Sequence, residues 1–172
     1  EREIKVENYH LGVSEVAQQI RDHQLSPGAL ARSLLNRIKS LDGTLKAWVT
    51  IDEEEVLTTA RLKEQELETG RELGILHGVP VGLKDIFYTD GVKTTACSRI
   101  FADFVPNYDA TSVRKLKEAG AIILGKAVTT EFATSDPSPT RNPWNLAHTP
   151  GGSSSGSSVA VAVGTEAGLK IT

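Results

Sequence analysis

The apolar positions of this chain change their spacing once, near Leu73, and that change divides the reading of its elements. Before it they recur at helical intervals. Ser14 stands where a short helix running through Ile20 would be capped. Ser26 followed by Pro27 places a capping hydroxyl ahead of a proline at the first helical position. Leu30, Leu34, Leu35, Ile38 and Leu41 then line one face of a helix, and Asp42-Gly43 reads as its break. Asp52-Glu53-Glu54-Glu55 suits the positive end of the next helix dipole, and Gly70 its close. The acidic run could also be a binding patch, but a solvated first turn is the plainer reading. Residues 1–72 are therefore predicted to form a helical N-terminal segment.

Beyond Leu73 the pattern is that of strands. Ile75, Val79, Val81 and Leu83 alternate, with Lys84-Asp85 at the strand's end. Asp90-Gly91 marks a turn. Asp109 is placed to cap a helix bearing Val113, Leu116 and Ala119, which Gly120 would close. Ala121-Ile122-Ile123-Leu124 reads as a fully buried strand, followed by Gly125-Lys126. Strand, helix and buried strand in that order predict an α/β fold with some parallel pairing. Residues 134–150 hold four prolines and two asparagines, which makes them loop. No segment repeats, and a chain of 172 residues suits one domain.

Charge and cysteine narrow the class. A formal net charge of −3 is spread along the chain without a basic stripe, which argues against nucleic acid or an anionic membrane as direct partners. One cysteine, Cys97, excludes an internal disulfide framework and fits a reducing compartment. The first residues are charged, unlike a signal peptide, and no apolar run approaches membrane-spanning length. A soluble cytoplasmic chain is expected, without cofactor or metal.

The candidate chemistry lies in Gly151 to Gly164, a glycine-serine loop running straight into Val159-Ala160-Val161-Ala162-Val163. Such a tract is ordinarily a flexible linker. Pro150 before it and the packable segment after it favour a ligand-facing loop, because small side chains leave hydroxyls and backbone N–H groups open. A phosphate loop would need Gly-Lys-Ser/Thr at its end, and a dinucleotide fingerprint would follow a strand directly; neither holds. A strand-end lysine is usually solvated or salt-bridged. Lys84 together with the downstream serines instead suggests serine-lysine chemistry on an amide or ester.

Several blocks then resemble the amidase signature family, in its order. They are Arg37-Ile38-Lys39-Ser40-Leu41-Asp42, His77-Gly78-Val79-Pro80-Val81-Gly82-Leu83-Lys84-Asp85, and Ala119-Gly120-Ala121-Ile122-Ile123-Leu124-Gly125-Lys126. Glu131-Phe132-Ala133, Arg141-Asn142-Pro143-Trp144-Asn145 and Pro150-Gly151-Gly152-Ser153-Ser154-Ser155-Gly156 complete the set. The resemblance runs from about Ser26 to Gly164. It implies the N-terminal part of that family's α/β fold: a helical segment, then a partial mixed sheet flanked by helices, with residues 73–172 as the start of the catalytic core.

The resemblance also implies amide hydrolysis by a nucleophilic serine, a second serine after a cis peptide bond, and a lysine. By motif the lysine is Lys84 and the cis-bonded serine is Ser153, with Gly151, Gly152, Ser154 and Ser155 completing an active-site loop. Lys84 would have to be neutral to accept a proton, and an apolar pocket lowers a lysine's pKa. Lys126 matches no catalytic position and reads as structural.

The family's nucleophile lies in a second loop, past Thr172 by spacing from Ser153. Either the chain is a fragment, or a deletion has joined Gly164-Thr165-Glu166-Ala167-Gly168-Leu169-Lys170-Ile171-Thr172 with Leu169 and Lys170 in the Gly-Ser places. On both accounts this polypeptide is expected to be inactive by itself, with exposed sheet edges and poor solubility. A decayed, non-catalytic binding remnant is the bland alternative. The implied partners are a small amide substrate and either a second copy of the chain or the other chains of an amidotransferase. The A subunit of a glutamyl-tRNA amidotransferase, which releases ammonia from glutamine, shares the same blocks.

Overall fold

The computed structural model describes residues 11–69 and 72–165. The charged N-terminus, the helix stop read at Gly70 and the loop resemblance over residues 166–172 lie outside the described residues.

Among the described residues five helices and three strands follow one another: α1 (Val13–Arg21), α2 (Pro27–Leu45), β1 (Trp48–Thr50), α3 (Glu53–Leu67), β2 (Pro80–Lys84), α4 (Thr111–Glu118), β3 (Ile122–Ala127) and α5 (Ser155–Ala162). Short 3-10 turns occur at Arg99–Phe101 and Glu131–Ala133. The α2 start follows its sequence signal, with the Ser26 hydroxyl accepting from Ala29 N–H at 3.0 Å and Pro27 in the first turn. Asp52 likewise caps α3 by accepting from Glu55 N–H at 3.0 Å.

Four local expectations are corrected. Gly12, rather than Ser14, caps α1, and its N–H donates to Glu15 at 2.7 Å. Asp42-Gly43 does not break α2. The helix runs on to Leu45 and stops at Lys46 in the left-handed region (φ 52°), because the Asp42 carboxylate accepts from Ala47 N–H (2.7 Å) and Trp48 N–H (3.2 Å). Asp109 accepts from Asp90 N–H and the Lys117 ammonium instead of capping α4, whose cap is Ala110. Ile75 lies in a turn and is 77% exposed, and the strand begins only at Pro80.

The sheet order is β1-β3-β2, with β1 antiparallel and β2 parallel to β3. The three-residue β1 lies inside the segment whose patterning reads as helical. The central β3 is buried along most of its length. The core gathers Val16 and Ile20 from α1, Leu30, Leu34, Leu35 and Ile38 from α2, Val56 and Ala60 from α3, Val81, Ile122 and Leu124 from the sheet, and Val159 from α5. Each buried Val, Leu or Ile among them contributes about 1.5–3 kcal/mol by leaving water. Helices from both ends of the chain therefore share one core with the strands that carry Lys84. Among the described residues no helix is long and apolar enough to cross a membrane.

Candidate active site

Strand alternation delivers the first site residue. Leu83 turns into the interior at 4% exposure, so Lys84, the next residue, points to the opposite face and is half-buried. There its Nζ donates to Ser153 Oγ at 2.5 Å. Burial lowers the Lys84 pKa from the ordinary lysine value. Loss of hydration disfavours the ammonium, and among the described residues no carboxylate forms an ion pair with it.

Ser153 sits in the bend that enters α5. Gly151 has φ 87°, and the Gly152–Ser153 peptide is cis. A side chain at Gly152 would press on Thr130 Cγ2 at 2.8 Å, and one at Gly156 would strike Ala47 O at 2.3 Å and Val128 N at 2.4 Å. These two glycines are thus required by close approach to the segment leaving β3. That segment pairs with the loop: Gly156 N–H donates to Val128 O (2.8 Å), and Thr130 N–H donates to Ser153 O (3.0 Å). Thr129 Oγ1 donates to the same Ser153 carbonyl at 3.1 Å.

The remaining loop serines diverge. Ser154 is the N-cap residue of α5, and its carbonyl accepts from both N–H and Oγ of Ser158. Ser155 is fully buried, accepting from Ser138 Oγ at 2.6 Å and lying 3.5 Å from Val128 O. Ser155 therefore ties the loop to the 134–140 segment and does not face Lys84. A cavity of about 310 Å³ opens beside Ser153, bounded by Thr130, Thr134, Thr149, Gly151 and Gly152 among others. Among the described residues its walls carry hydroxyls and no ionisable side chain.

Behind the site lies a second lysine. Lys126 is fully buried on β3, donating to Phe87 O (2.7 Å) and Thr94 Oγ1 (2.6 Å), with Nζ 3.3 Å from Asp85 Oδ1. Asp85 Oδ2 accepts from Thr95 N–H (2.9 Å) and Thr95 Oγ1 (2.6 Å), while Oδ1 makes no hydrogen bond and has only the ionic contact. Burial lowers the Lys126 pKa, and the Asp85 carboxylate works against that shift. These contacts tie the 85–95 loop to β3 beneath the end of β2. Patterning missed Thr129, Thr130 and Ser138. The one available signal was a pair of threonines directly after a buried strand. Among the described residues no cluster of three potential metal ligands occurs.

Comparison with known proteins gives the family. The family model described as Amidase matches residues 29–168. The chain belongs to the Amidase family. Among its relatives is the A subunit of the glutamyl-tRNA(Gln) amidotransferase of Geobacter metallireducens, 43% identical over 93% of this chain and 34% of that protein. The peptide amidase of Stenotrophomonas maltophilia superposes with a TM-score of 0.85 at 32% identity, over 94% of this chain and 36% of that one. The A subunit of the Thermotoga maritima amidotransferase gives a TM-score of 0.73 at 34% identity, over 95% and 34% respectively. The chain spans about a third of the length of the curated relatives it matches. The partial mixed sheet with flanking helices is the fold these amidases share with it.

Proposed function

We propose that Lys84 and Ser153 form the proton-handling half of an amide-hydrolysing site. The observation that carries this reading is the 2.5 Å contact between Lys84 Nζ and Ser153 Oγ, made by an amine whose burial favours its neutral form. In the reaction, neutral Lys84 takes the Ser153 proton while Ser153 takes the proton of an acyl-accepting serine. That serine's oxygen then adds to the amide carbon. The proton held on Lys84 returns through Ser153 to the leaving nitrogen as the C–N bond breaks, so Lys84 and Ser153 end the acylation step as they began and the nucleophile's proton departs on the amine. Such general acid–base transfer contributes about a hundred- to ten-thousand-fold in rate. The hydroxyl-lined cavity beside Ser153 suits a small, uncharged amide.

No residue of the 172 matches the family's nucleophilic serine, so this polypeptide alone is expected to turn over neither aliphatic nor aryl amides. The test is incubation with a serine-directed fluorophosphonate followed by mass spectrometry. No adduct is expected. A covalent adduct on Ser153, Ser154 or Ser155 would overturn the assignment of Ser153 as a bridge and make a loop serine the nucleophile.

A second reading has its own support. Curated relatives at 40–44% identity are named as A subunits of glutamyl-tRNA(Gln) amidotransferases, while among solved structures such an A subunit, at 34%, stands level with the peptide amidases at 32–34%. On that reading the same site would act within an amidotransferase, and the full-length protein would co-purify with a second protein chain. Amide turnover by the full-length protein without such a partner would favour the free-standing amidase.

A further inference from the structure

Ser153 is held at two ends. Its hydroxyl meets Lys84, and its carbonyl accepts from two donors on the segment that leaves β3: Thr130 N–H at 3.0 Å and Thr129 Oγ1 at 3.1 Å. The first donor is backbone, which nearly every residue type supplies. The second belongs to one side chain. Thr129 is fully buried, so no water competes for its hydroxyl, and the Ser153 carbonyl is the acceptor it reaches. A carbonyl oxygen has two lone pairs, and these two donors approach from successive residues. With one donor the Ser153–Ser154 peptide plane could swing about that hydrogen bond. With two, its direction is set, and so is the direction in which the Ser153 side chain leaves the backbone. The neighbouring Gly151 and Gly152 bring no side-chain packing that could do this instead.

We infer that Thr129 is a positioning residue, whose hydroxyl and the Thr130 N–H clamp the Ser153 carbonyl and thereby set the Ser153 hydroxyl against the Lys84 amine. This rests on the Lys84–Ser153 relay proposed above. Valine has the shape of threonine but turns a methyl towards the carbonyl and leaves it one donor. Serine keeps the donor. Loosening the loop admits water to Lys84, and because burial is what depresses its pKa, hydration raises the pKa towards that of an ordinary lysine.

The test uses the full chain with isotope-labelled lysine and follows the ε-carbon signals of Lys84 through a pH titration, with Lys84→Ala identifying the signal. In the wild type the Lys84 midpoint should lie below those of the exposed lysines. Thr129→Val should move it upward while the thermal unfolding midpoint changes little. Thr129→Ser should restore the wild-type midpoint, and exchange of the Thr130 amide should quicken in the valine variant alone. If the valine variant does not fold, Thr129→Ala takes its place with the same expected shift. A wild-type midpoint among the ordinary lysines overturns the relay, and the positioning role with it. A depressed wild-type midpoint that neither Thr129→Val nor Thr129→Ala moves overturns the clamp alone.

Discussion

Two lysines stand near the ends of neighbouring strands, and their surroundings differ in one decisive respect. Lys126 is wholly buried and has a carboxylate, a hydroxyl and a carbonyl around its ammonium. Lys84 is half-buried and has one hydroxyl, that of Ser153. Burial lowers the pKa of both, but only at Lys126 does a carboxylate oppose the shift. A lysine that must stay charged and hold a loop needs that counter-charge. A lysine that must give up and regain a proton is better without it. On the proposed reading the deeper lysine holds the loop and the shallower one handles the proton.

That contrast can be broken from either side. The largest effect is expected at Lys84. In a full-length protein that carries the second serine loop, Lys84→Ala should cut amide hydrolysis by about a hundred- to ten-thousand-fold while leaving folding largely intact. Lys84→Arg should be nearly as damaging, since a guanidinium stays charged. Activity within threefold of wild type, measured as steady-state turnover, would remove Lys84 from the reaction.

Lys126→Met should act on stability instead, because it strands the Asp85 carboxylate in the interior. Breaking one side of a buried pair costs about 3–5 kcal/mol, read from urea unfolding. The double variant Asp85→Asn, Lys126→Met should recover a large part of that loss. If the single variant is as stable as wild type, the Lys126–Asp85 contact does not stabilise the interior.

The pH dependence sharpens the comparison further. A lysine whose pKa is depressed by folding binds fewer protons in the folded than in the unfolded state between the two pKa values. The penalty for burying the Lys84 ammonium is therefore full below the folded pKa. It is relieved as pH rises through the window up to the ordinary lysine value. Hydrolysis by the full-length protein should rise with pH over the lower part of that window, as the neutral amine accumulates. Lys84→Met should remove the Lys84 part of the stability slope; an unchanged slope of unfolding free energy against pH would contradict it.

The smallest effect belongs to Ser155, whose hydroxyl ties the loop to Ser138. Ser155→Ala should cost about 1 kcal/mol. It should leave the Lys84 titration in place, because Ser155 faces away from the amine. A shift of the Lys84 midpoint in this variant would place Ser155 in the site after all.

Sequence by itself determined what short-range chemistry decides. The Ser26-Pro27 signal and the leucine spacing set the start and inner face of α2, and Asp52 set the start of α3. Alternation around Val81 and Leu83 placed Lys84 at the end of a strand. The ordered motif blocks pointed to the family. Where several local signals compete, the sequence was less decisive: Asp42-Gly43 reads as a stop, yet the Asp42 carboxylate serves backbone N–H groups past the true end of α2. What only the tertiary structure decided rests on contacts between residues far apart in the chain. The three-residue β1 is too short to show a period and exists because it pairs with β3. The depth of Lys126 follows from the centre of a sheet whose order no local pattern encodes. The separate roles of Ser153, Ser154 and Ser155 are hidden within one serine run, because they depend on which side of the loop meets β2 and which meets the segment leaving β3. Side-chain identity supplies the donors and acceptors, and strand register decides which of them meet.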